Sequence, residues 1–273
     1  MDGFHTIMNW SSWGVIGLKI LNIAAYQFSA IDNPAALAKS LQTLAQSHDL
    51  LGTILVAKEG LNLFLAGPVA VLEQWLLVLR QDARFAAIRV KKSYSNHLPF
   101  KRLKVRLERE IITFDPAINP AQIRMPVVSP ARLKAWLDQG HDDAGQSVVL
   151  LDTRNREEVA IGSFVGALNP QIEKFTALPA AVNQLTDQLQ GKTVVAFCTG
   201  GVRCEKAVPW LHAQGLTNSY QLDGGILAYF EAVGGAHWRG KCFVFDARIA
   251  LDPALQPAVD QAPLLSPGQL AAS

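Results

Sequence analysis

Apolar and polar positions follow two different periods between residues 20 and 95, and the changes of period mark six elements. Ile20 to Phe28 is a short, mostly apolar run typical of a strand. Asn33-Pro34 then opens an amphipathic segment that continues to about His48 and is predicted to be a helix, because Pro is favoured in a first helical turn. Further apolar runs predict strands at 52–58, 61–65 and 88–95 and a second helix at 69–80.

The resulting order β-α-β-β-α-β is that of a split βαβ, ferredoxin-like unit. Residues 101–114 alternate apolar and charged side chains, which predicts one more, half-exposed strand. We therefore predict an N-terminal ferredoxin-like domain over residues 18–118. Residues 1–17 show no periodicity, and no function is assigned to them.

A second α/β pattern follows a Pro-rich boundary at residues 119–126. Continuous apolar runs at 147–152 and 193–197 are typical of strands buried on both faces of a parallel sheet, and 220–222 predicts a shorter one. Helices are predicted at 130–137, 174–189 and 205–214. In such sheets the chemistry lies at the carboxyl ends of the strands. The second domain is predicted over residues 125–250, followed by a disordered tail at 251–273.

Composition narrows the class of protein. The chain has 273 residues, 49% of them hydrophobic and 18% charged, which suits two globular domains. It contains no apolar stretch long enough to span a bilayer and no signal-peptide pattern, so no membrane association is expected. Three cysteines are too few for a disulfide framework, which indicates a reducing, cytoplasmic location.

The candidate chemistry follows the apolar run that ends at Phe197. Cys198 stands where this strand is predicted to end, Arg203 lies five positions later, and a helix begins shortly afterwards. Backbone N–H groups of such a loop converge on an anion, a geometry that favours a thiolate over a thiol. Cys198 is therefore predicted to be a nucleophile, with Arg203 supplying a positive charge. The predicted ring of backbone donors comprises Thr199, Gly200, Gly201 and Val202.

Loop length argues against a cysteine phosphatase. Those enzymes place five residues between the Cys and the Arg, whereas four separate Cys198 from Arg203 here. The residue before the nucleophile is Phe197 rather than His. The smaller ring suits a persulfide or another compact group.

Five further stretches, taken with the loop, give the chain its family resemblance. The sequences Asp152-Thr153-Arg154-Asn155 and Gly162 to Ala167, taken with the loop, resemble a rhodanese domain. The block CTGGVRCEKA (198–207), together with LDGGI (222–226) and GKCFVFD (240–246), resembles the rhodanese-related tRNA uridine hydroxylases. Their N-terminal ferredoxin-like domain carries a turn similar to KEGLN (58–62). The resemblance covers about residues 18–250, and this chain lacks the Cys-rich C-terminal segment of longer members.

The resemblance implies oxygen-dependent 5-hydroxylation of the wobble uridine at position 34 of tRNA, with the loop cysteine essential. Molecular oxygen would be the co-substrate, and the sequence offers no evident cofactor. Two alternatives remain open at this stage. One is a sulfurtransferase that carries a persulfide on Cys198 and exchanges it with thiosulfate or a sulfur-carrier protein. The other is a non-enzymatic module that binds tRNA or a protein partner.

Three other residues have two interpretations each. Arg154, just after a predicted strand, either contacts the substrate as part of the catalytic site or braces the loop through Asp152 or Glu158. Cys204 either packs inward or resolves an oxidised or persulfidated Cys198 as a disulfide. Cys242 is either a packing residue, which we predict, or a catalytic one. The six histidines lack paired spacing, so no metal site is predicted.

Basic residues are concentrated between Arg89 and Arg106, a stretch without a single acid. Such a run in a chain of net charge +2 is the electrostatic footprint expected for a phosphate backbone. The alternative is a solvated edge strand protected by its charges. The expected partner is a tRNA anticodon stem-loop, whose bases would stack on the interleaved Tyr94, His97 and Phe100. The predicted RNA-binding residues are Lys91, Lys92, Lys101, Arg102, Lys104 and Arg106.

Overall fold

Two sheets form the frame of the molecule, and helices pack on each of them. The fold comes from a computed structural model, which describes residues 19–115 and 117–258. Each sheet has its own apolar core, with Leu21 and Trp75 in the first and Val195 and Tyr229 in the second. The apolar side chains are therefore divided between two halves, as expected for a chain of 273 residues.

The N-terminal half contains five strands and two helices. They are β1 (Ile20–Phe28), α1 (Pro34–Gln46), β2 (Leu51–Ala57), β3 (Gly60–Pro68), α2 (Val69–Leu79), β4 (Val90–Ser95) and β5 (Leu103–Leu107). The strand order is β4-β1-β3-β2-β5, and the first four strands are antiparallel neighbours. The predicted ferredoxin-like unit is thus confirmed, with β5 added in parallel beside β2.

The two helices cover only one face of this sheet. Ile23 on β1 and Leu63 on β3 belong to the core beneath the helices. Successive side chains of a strand point to opposite faces, so Ala24, Tyr26 and Phe64 lie on the other side. These three side chains are half-buried and face the C-terminal half. We call this side of the sheet the open sheet face.

The strand predicted over residues 101–114 is wrong at both ends, because only Leu103–Leu107 pairs with a neighbour. The chain leaves the sheet after β5 and crosses toward the second half. Ile111 fixes this crossing: its N–H donates to Glu59 Oε1 at 2.7 Å, and its carbonyl accepts from Asn62 Nδ2 at 3.2 Å. The alternation of apolar and charged residues over 101–114 therefore marks a strand only at 103–107. The residues that follow form a connecting segment that side-chain hydrogen bonds hold in place.

The C-terminal half is built on a four-stranded sheet with helices on both sides. Its elements are β6 (Val127–Val128), α3 (Pro130–Gln139), β7 (Val148–Asp152), α4 (Arg156–Ile161), β8 (Gly162–Phe164), α5 (Leu178–Asn183), α6 (Thr186–Leu189), β9 (Thr193–Phe197), α7 (Cys204–Ala213), β10 (Ser219–Leu222), α8 (Gly225–Val233), β11 (Trp238–Gly240), β12 (Cys242–Phe243) and β13 (Ala250–Leu251). The main sheet has the order β6-β10-β9-β7 with every pair parallel, so the predicted α/β domain with a parallel sheet is confirmed. No helix in the described ranges is both long and apolar enough to cross a membrane.

The single helix predicted over residues 174–189 is wrong, since the segment is broken. A 3₁₀ turn at Phe175–Ala177 leads into α5, and α6 follows after Gln184 and Leu185. The Thr186 hydroxyl donates to the carbonyl of Asn183 at 2.9 Å. Such local side-chain bonds compete with continuation of a helix and explain the break.

The segment after β12 returns toward the N-terminal sheet. Arg248 Nη1 donates to Ser93 Oγ at 2.6 Å, and the Ala247 N–H donates to the Pro99 carbonyl at 3.2 Å. The disorder predicted from residue 251 does not hold for the first part of the tail. Residues 251–258 are ordered because they fold back on β13, where the Ala258 N–H donates to the Ala250 carbonyl at 2.7 Å. Residues 259–273 lie outside the described part of the chain.

Candidate active site

The loop that follows β9, residues 198–203, is held in place by backbone groups, and we call it the cysteine loop. Gly201 has a φ of 102°, and its N–H donates to Cys198 Sγ at 3.1 Å. The Cys198 carbonyl accepts from the Ile226 N–H in α8 at 3.0 Å. A side chain at Gly225 would place its Cβ 2.4 Å from that carbonyl oxygen, so this contact requires glycine. The loop is therefore fixed against the start of α8.

Cys198 combines burial with a lowered pKa. Only 2% of the residue is exposed, and this burial acts to raise the thiol pKa. The opposing influences are stronger: a hydrogen bond with the Cys204 side chain, the charge of Arg203, and backbone N–H groups of Arg203 and Gly201. They lower the pKa of Cys198 to about 6. A pKa of about 6 favours the thiolate form of Cys198 at neutral pH.

Arg203 provides the fixed charge of the loop. Its Nη2 lies 2.8 Å from Glu158 Oε2, and the same carboxylate oxygen accepts from the Asn155 N–H at 3.1 Å. The guanidinium also stands over the ring of Phe245, 5.6 Å from the ring centre. Arg203 is buried but remains on the wall of the cleft that contains Cys198. Its position fits the predicted role of stabilising the thiolate.

Arg154 braces the structure and does not face the cleft. Its side chain is fully buried, and it makes two hydrogen bonds to the Asp152 carboxylate at 2.9 and 2.7 Å. A further bond reaches the Gly162 carbonyl at 2.7 Å. Because its guanidinium is engaged with Asp152 and the Gly162 carbonyl, the structure favours the bracing interpretation over a substrate contact.

The two remaining cysteines are both buried. Cys204 begins α7, next to Cys198, and its sulfur lies 3.7 Å from the Thr153 hydroxyl. Burial and the neighbouring Cys198 raise the pKa of Cys204 well above its usual value, so Cys204 stays a thiol and donates toward Cys198. Cys242 packs in the core of the C-terminal half, where burial raises its pKa to about 12. This environment agrees with a packing role for Cys242.

A cleft of about 1140 Å³ separates the open sheet face from the cysteine loop. Tyr26 and Phe64 line one wall, and Cys198 and Arg203 line the other. Phe245, from the segment after β12, lies 6.1 Å from Phe64 between ring centres and closes one side. The thiolate therefore faces a space far wider than the loop itself.

All six basic residues predicted to bind RNA line this cleft, namely Lys91, Lys92, Lys101, Arg102, Lys104 and Arg106. Lys104 stands beside Thr53 in the β2–β5 register, and Lys91 stands beside Ala24 at the opposite edge of the sheet. Lys92 differs from the other five: it is paired with Ile23, whose side chain lies on the helix side, and its ammonium bonds to Glu73 of α2.

The predicted stacking residues are also divided. Phe100 lines the cleft, but Tyr94 packs against the core beneath the helices and lies under the Lys19 ammonium, 4.4 Å from the ring centre. His97 is exposed on the loop after β4. Within residues 19–115 and 117–258, no group of three or more His, Cys, Asp or Glu side chains is arranged to hold a metal ion.

Comparison with known proteins decides the family. Residues 20–111 match the UPF0176 acylphosphatase like domain, and residues 129–232 match the Rhodanese-like domain. A tRNA uridine(34) hydroxylase of Xanthomonas campestris is 53% identical over 253 residues, which cover 92% of this chain and 100% of the relative. One from Cupriavidus necator is 52% identical, with 88% of this chain and 86% of the relative covered. This chain belongs to the tRNA uridine(34) hydroxylase family.

The loop block at 198–207 and the turn at 58–62 of this hydroxylase-family protein are in contact between its two halves. Lys206, from the loop block, is fully buried, and its ammonium lies 2.8 Å from Glu59 in the turn at 58–62. It also lies 2.6 Å from Glu110 in the crossing segment. The next residue toward the loop, Glu205, accepts a hydrogen bond from the Tyr26 hydroxyl at 3.0 Å. These contacts hold the open sheet face opposite the cysteine loop.

Sequence reasoning missed Tyr26, Phe64 and Phe245 as components of the cleft of this hydroxylase-family protein. All three are aromatic and stand in mostly apolar stretches, so they resemble ordinary core residues. A signal was nevertheless present for two of them. Tyr26 and Phe64 are out of phase with the core residues Ile23 and Leu63, and a period of two places them on the face that the helices do not cover.

Proposed function

We propose that this protein hydroxylates C5 of the wobble uridine of tRNA, using dioxygen and the Cys198 thiolate. Its relatives named tRNA uridine(34) hydroxylase, at 52–54% identity, support the reaction and the substrate. The observation that carries the proposal is a cysteine of lowered pKa placed at the base of a wide cleft with cationic edges. The reaction takes place in the cytoplasm, where tRNA is modified.

The size of the cleft favours a macromolecular substrate. Pockets that enclose small ligands measure roughly 300–1,000 Å³. The cleft here, at about 1140 Å³, is larger and lies open between two halves of the protein. A sulfurtransferase acting on thiosulfate needs only the compact ring around Cys198. Splaying one base of a single-stranded loop into such a space is the usual manner of sequence-specific RNA recognition.

Charge distribution supports the position of the RNA. Lys101 and Arg102 precede β5, and Lys104 and Arg106 lie along it, on one side of the open sheet face. Lys91 marks the opposite edge. None of these five side chains forms an ion pair with another described residue, so their charges are available to phosphates. We place the anticodon stem-loop across this face, with its wobble base directed at Cys198.

The chemistry begins with addition of the Cys198 thiolate to C6 of the uracil. The sulfur–C6 bond forms, the C5=C6 π bond breaks, and its electron pair moves onto the C5–C4–O4 enolate. The electron-rich C5 then bonds to one oxygen atom of dioxygen, and a thiol reductant supplies the two electrons that cleave the O–O bond, so one oxygen stays on C5 as a hydroxyl and the other leaves as water. Loss of the C5 proton re-forms the C5=C6 bond and expels Cys198 as a thiolate. Arg203 stabilises the anionic sulfur before addition and after release.

An isotope experiment tests the proposal. The purified protein is incubated with unmodified tRNA and a thiol reductant under ¹⁸O₂, and the nucleosides are analysed by mass spectrometry. We expect 5-hydroxyuridine at position 34 that carries one ¹⁸O atom, and no product without oxygen. RNA containing 5-fluorouridine at that position is expected to form a covalent adduct with Cys198. An unmodified position 34 in the complete reaction would contradict the function, and transfer of ³⁵S from thiosulfate to tRNA would establish the sulfurtransferase instead.

A further inference from the structure

A group of three polar side chains lies beside the cysteine loop and has no part in forming the thiolate. Glu205 stands in the first turn of α7, Tyr26 comes from β1 of the opposite half, and Gln221 lies on β10. All three line the same cleft as Cys198. The Tyr26 hydroxyl donates to Glu205 Oε1 at 3.0 Å.

The group adjoins the reacting sulfur through the loop backbone. A Cβ at Gly201 would lie 2.9 Å from the Tyr26 hydroxyl, and the Gly201 N–H donates to Cys198 Sγ. Gln221 is paired with Ala196 in the sheet, two residues before Cys198 on the same side of β9. The carboxylate of Glu205 is thereby held between the two halves, next to the place where a base meets the thiolate.

The group has more hydrogen-bond acceptors than donors. Burial raises the pKa of the Glu205 carboxyl, and hydrogen bonding from Tyr26 and Gln221 opposes this change. Burial and the nearby Glu205 raise the pKa of Tyr26 well above 10, so its hydroxyl keeps its proton. Gln221 is 8% exposed, and its Oε1 has no hydrogen-bond partner among the described residues. An unpaired buried acceptor is unfavourable, so this site is suited to a ligand that brings a donor.

Uracil offers one such donor on its pairing edge, the N3–H, whereas cytosine has an acceptor at N3. In the six-membered ring, N3 lies opposite C6. The sulfur meets C6 from one face of the ring, so the N3–H points outward in the plane of the ring, on the side opposite C6 and toward the surrounding wall of the cleft. A carboxylate on that wall attracts this donor and repels the N3 lone pair of cytosine.

We infer that Glu205, held by Tyr26 and Gln221, accepts the hydrogen bond of the substrate's N3–H and thereby selects uridine over cytidine. This inference rests on the proposed function and deepens it, because it assigns a specificity-determining residue to the same site. Glu205 orients the base so that C6, and not another ring atom, faces Cys198.

A double-mutant cycle between enzyme and substrate tests this inference. Wild-type protein and Glu205→Ala are each assayed with a stem-loop whose target is uridine or N3-methyluridine, and kcat/KM for 5-hydroxylation is measured. Loss of one charge-assisted hydrogen bond is expected to reduce kcat/KM by about 30-fold in either single change. Because both changes remove the same bond, the combined change should also lose about 30-fold, and not the 900-fold or so of independent losses.

Further measurements keep a structural role for Glu205 distinguishable. Stem-loop affinity should change less than about twofold in Glu205→Ala, because the phosphate contacts remain. Tyr26→Phe keeps the Glu205 carboxylate and removes one of the hydrogen bonds that hold it. We therefore expect a smaller loss of kcat/KM, which is again not additive with the loss from N3-methylation. This variant provides the test if Glu205→Ala does not fold. If the losses in kcat/KM from the protein variant and from N3-methylation multiply for both variants, the inference is overturned. The proposed function still stands in that case, provided that the wild-type protein hydroxylates uridine. Absence of wild-type hydroxylation would remove the proposed function itself.

Discussion

The cysteine loop and the open sheet face lie across one cleft, yet their polar groups are satisfied in opposite ways. In the loop, Cys198 accepts from the Gly201 N–H, and Arg203 is buried against Glu158. On the sheet, Lys104 and Arg106 form no ion pair with any other described residue. The charged groups of the cysteine loop are therefore already paired within the protein, whereas the basic side chains of the open sheet face can pair with a bound partner.

This difference follows from what each wall has to do. A thiolate must be stabilised before the substrate arrives, so its donors have to be fixed in advance by the fold. Attraction of a polyanion acts over about 8–10 Å in physiological salt, so it requires charge of one sign and little fixed geometry. Changes in the loop should therefore affect the chemical step, and changes on the sheet should affect binding.

Removing the sulfur should give the largest effect. Cys198→Ser is expected to lower the hydroxylation rate by at least ~10³-fold, because a serine hydroxyl is not ionised at neutral pH. RNA affinity should remain within about twofold of wild type. Cys242→Ala is the matched control, since it removes another buried cysteine of the same half and should keep most of the activity. Single-turnover rates and filter binding measure both quantities, and substantial turnover by Cys198→Ser would end the assignment of the nucleophile.

Removing the loop charge should come next. The pKa of Cys198 is lowered to about 6, so its thiolate forms above that pH and is lost as the pH falls through it. In Arg203→Gln one of the influences that lower the pKa is lost while burial remains, so the pKa of Cys198 rises and alkylation by iodoacetamide at pH 7 should slow by at least about tenfold. The pH dependence of the alkylation rate measures this shift.

Arg154→Gln is the control for this loop experiment. Arg154 is buried with Asp152 and makes no contact with Cys198. Its replacement should lower the melting temperature and leave the midpoint of the alkylation curve in place, while Arg203→Lys should restore part of the shift. A midpoint that stays near 6 in Arg203→Gln would show that the backbone donors and the Cys204 thiol stabilise the thiolate without the Arg203 charge.

Reversing charge on the sheet should weaken binding with little effect on chemistry. The triple variant Lys101→Glu, Arg102→Glu and Lys104→Glu is expected to reduce tRNA affinity about 30-fold at physiological salt, and the slope of log K against log salt should fall by roughly two. The rate at saturating tRNA should be retained. The control reverses three exposed cations outside the cleft, Lys39, Lys174 and Arg239, and so produces the same change in net charge. Equal losses of tRNA affinity in the two triple variants would show that overall charge, and not the position of the three residues in the cleft, causes the effect.

The same contrast explains how far sequence alone could reach. The nucleophile and the residues that stabilise it lie within seven consecutive positions, 198–204, so their spacing in the sequence predicts the local geometry of the loop. The sheet wall draws on Tyr26, Phe64 and Lys104, which are brought together only by strand register. The basic run was visible, but Lys92 and Tyr94 follow the alternation of β4 onto the helix side. Arg154 was ambiguous because burial, not spacing, determines whether an arginine beside a strand end is a brace.

Removing one aromatic ring from the sheet should give the smallest effect. Phe64 is flanked in the register by Ala24 and Thr53, two small residues that leave room beside its ring for a nucleobase. Base–aromatic stacking is worth ~1–3 kcal/mol, and Leu preserves part of the apolar contact, so Phe64→Leu should weaken stem-loop binding about fivefold. Its salt slope and its Cys198 alkylation curve should match those of wild type, because neither charge nor the loop has changed. Tyr94→Leu removes an aromatic ring from the helix side of the same sheet and should leave affinity unaltered. A loss of stem-loop affinity in Tyr94→Leu but not in Phe64→Leu would show that the RNA binds at the β4 edge and not on the open sheet face. The two walls of the cleft would then not contact the same RNA.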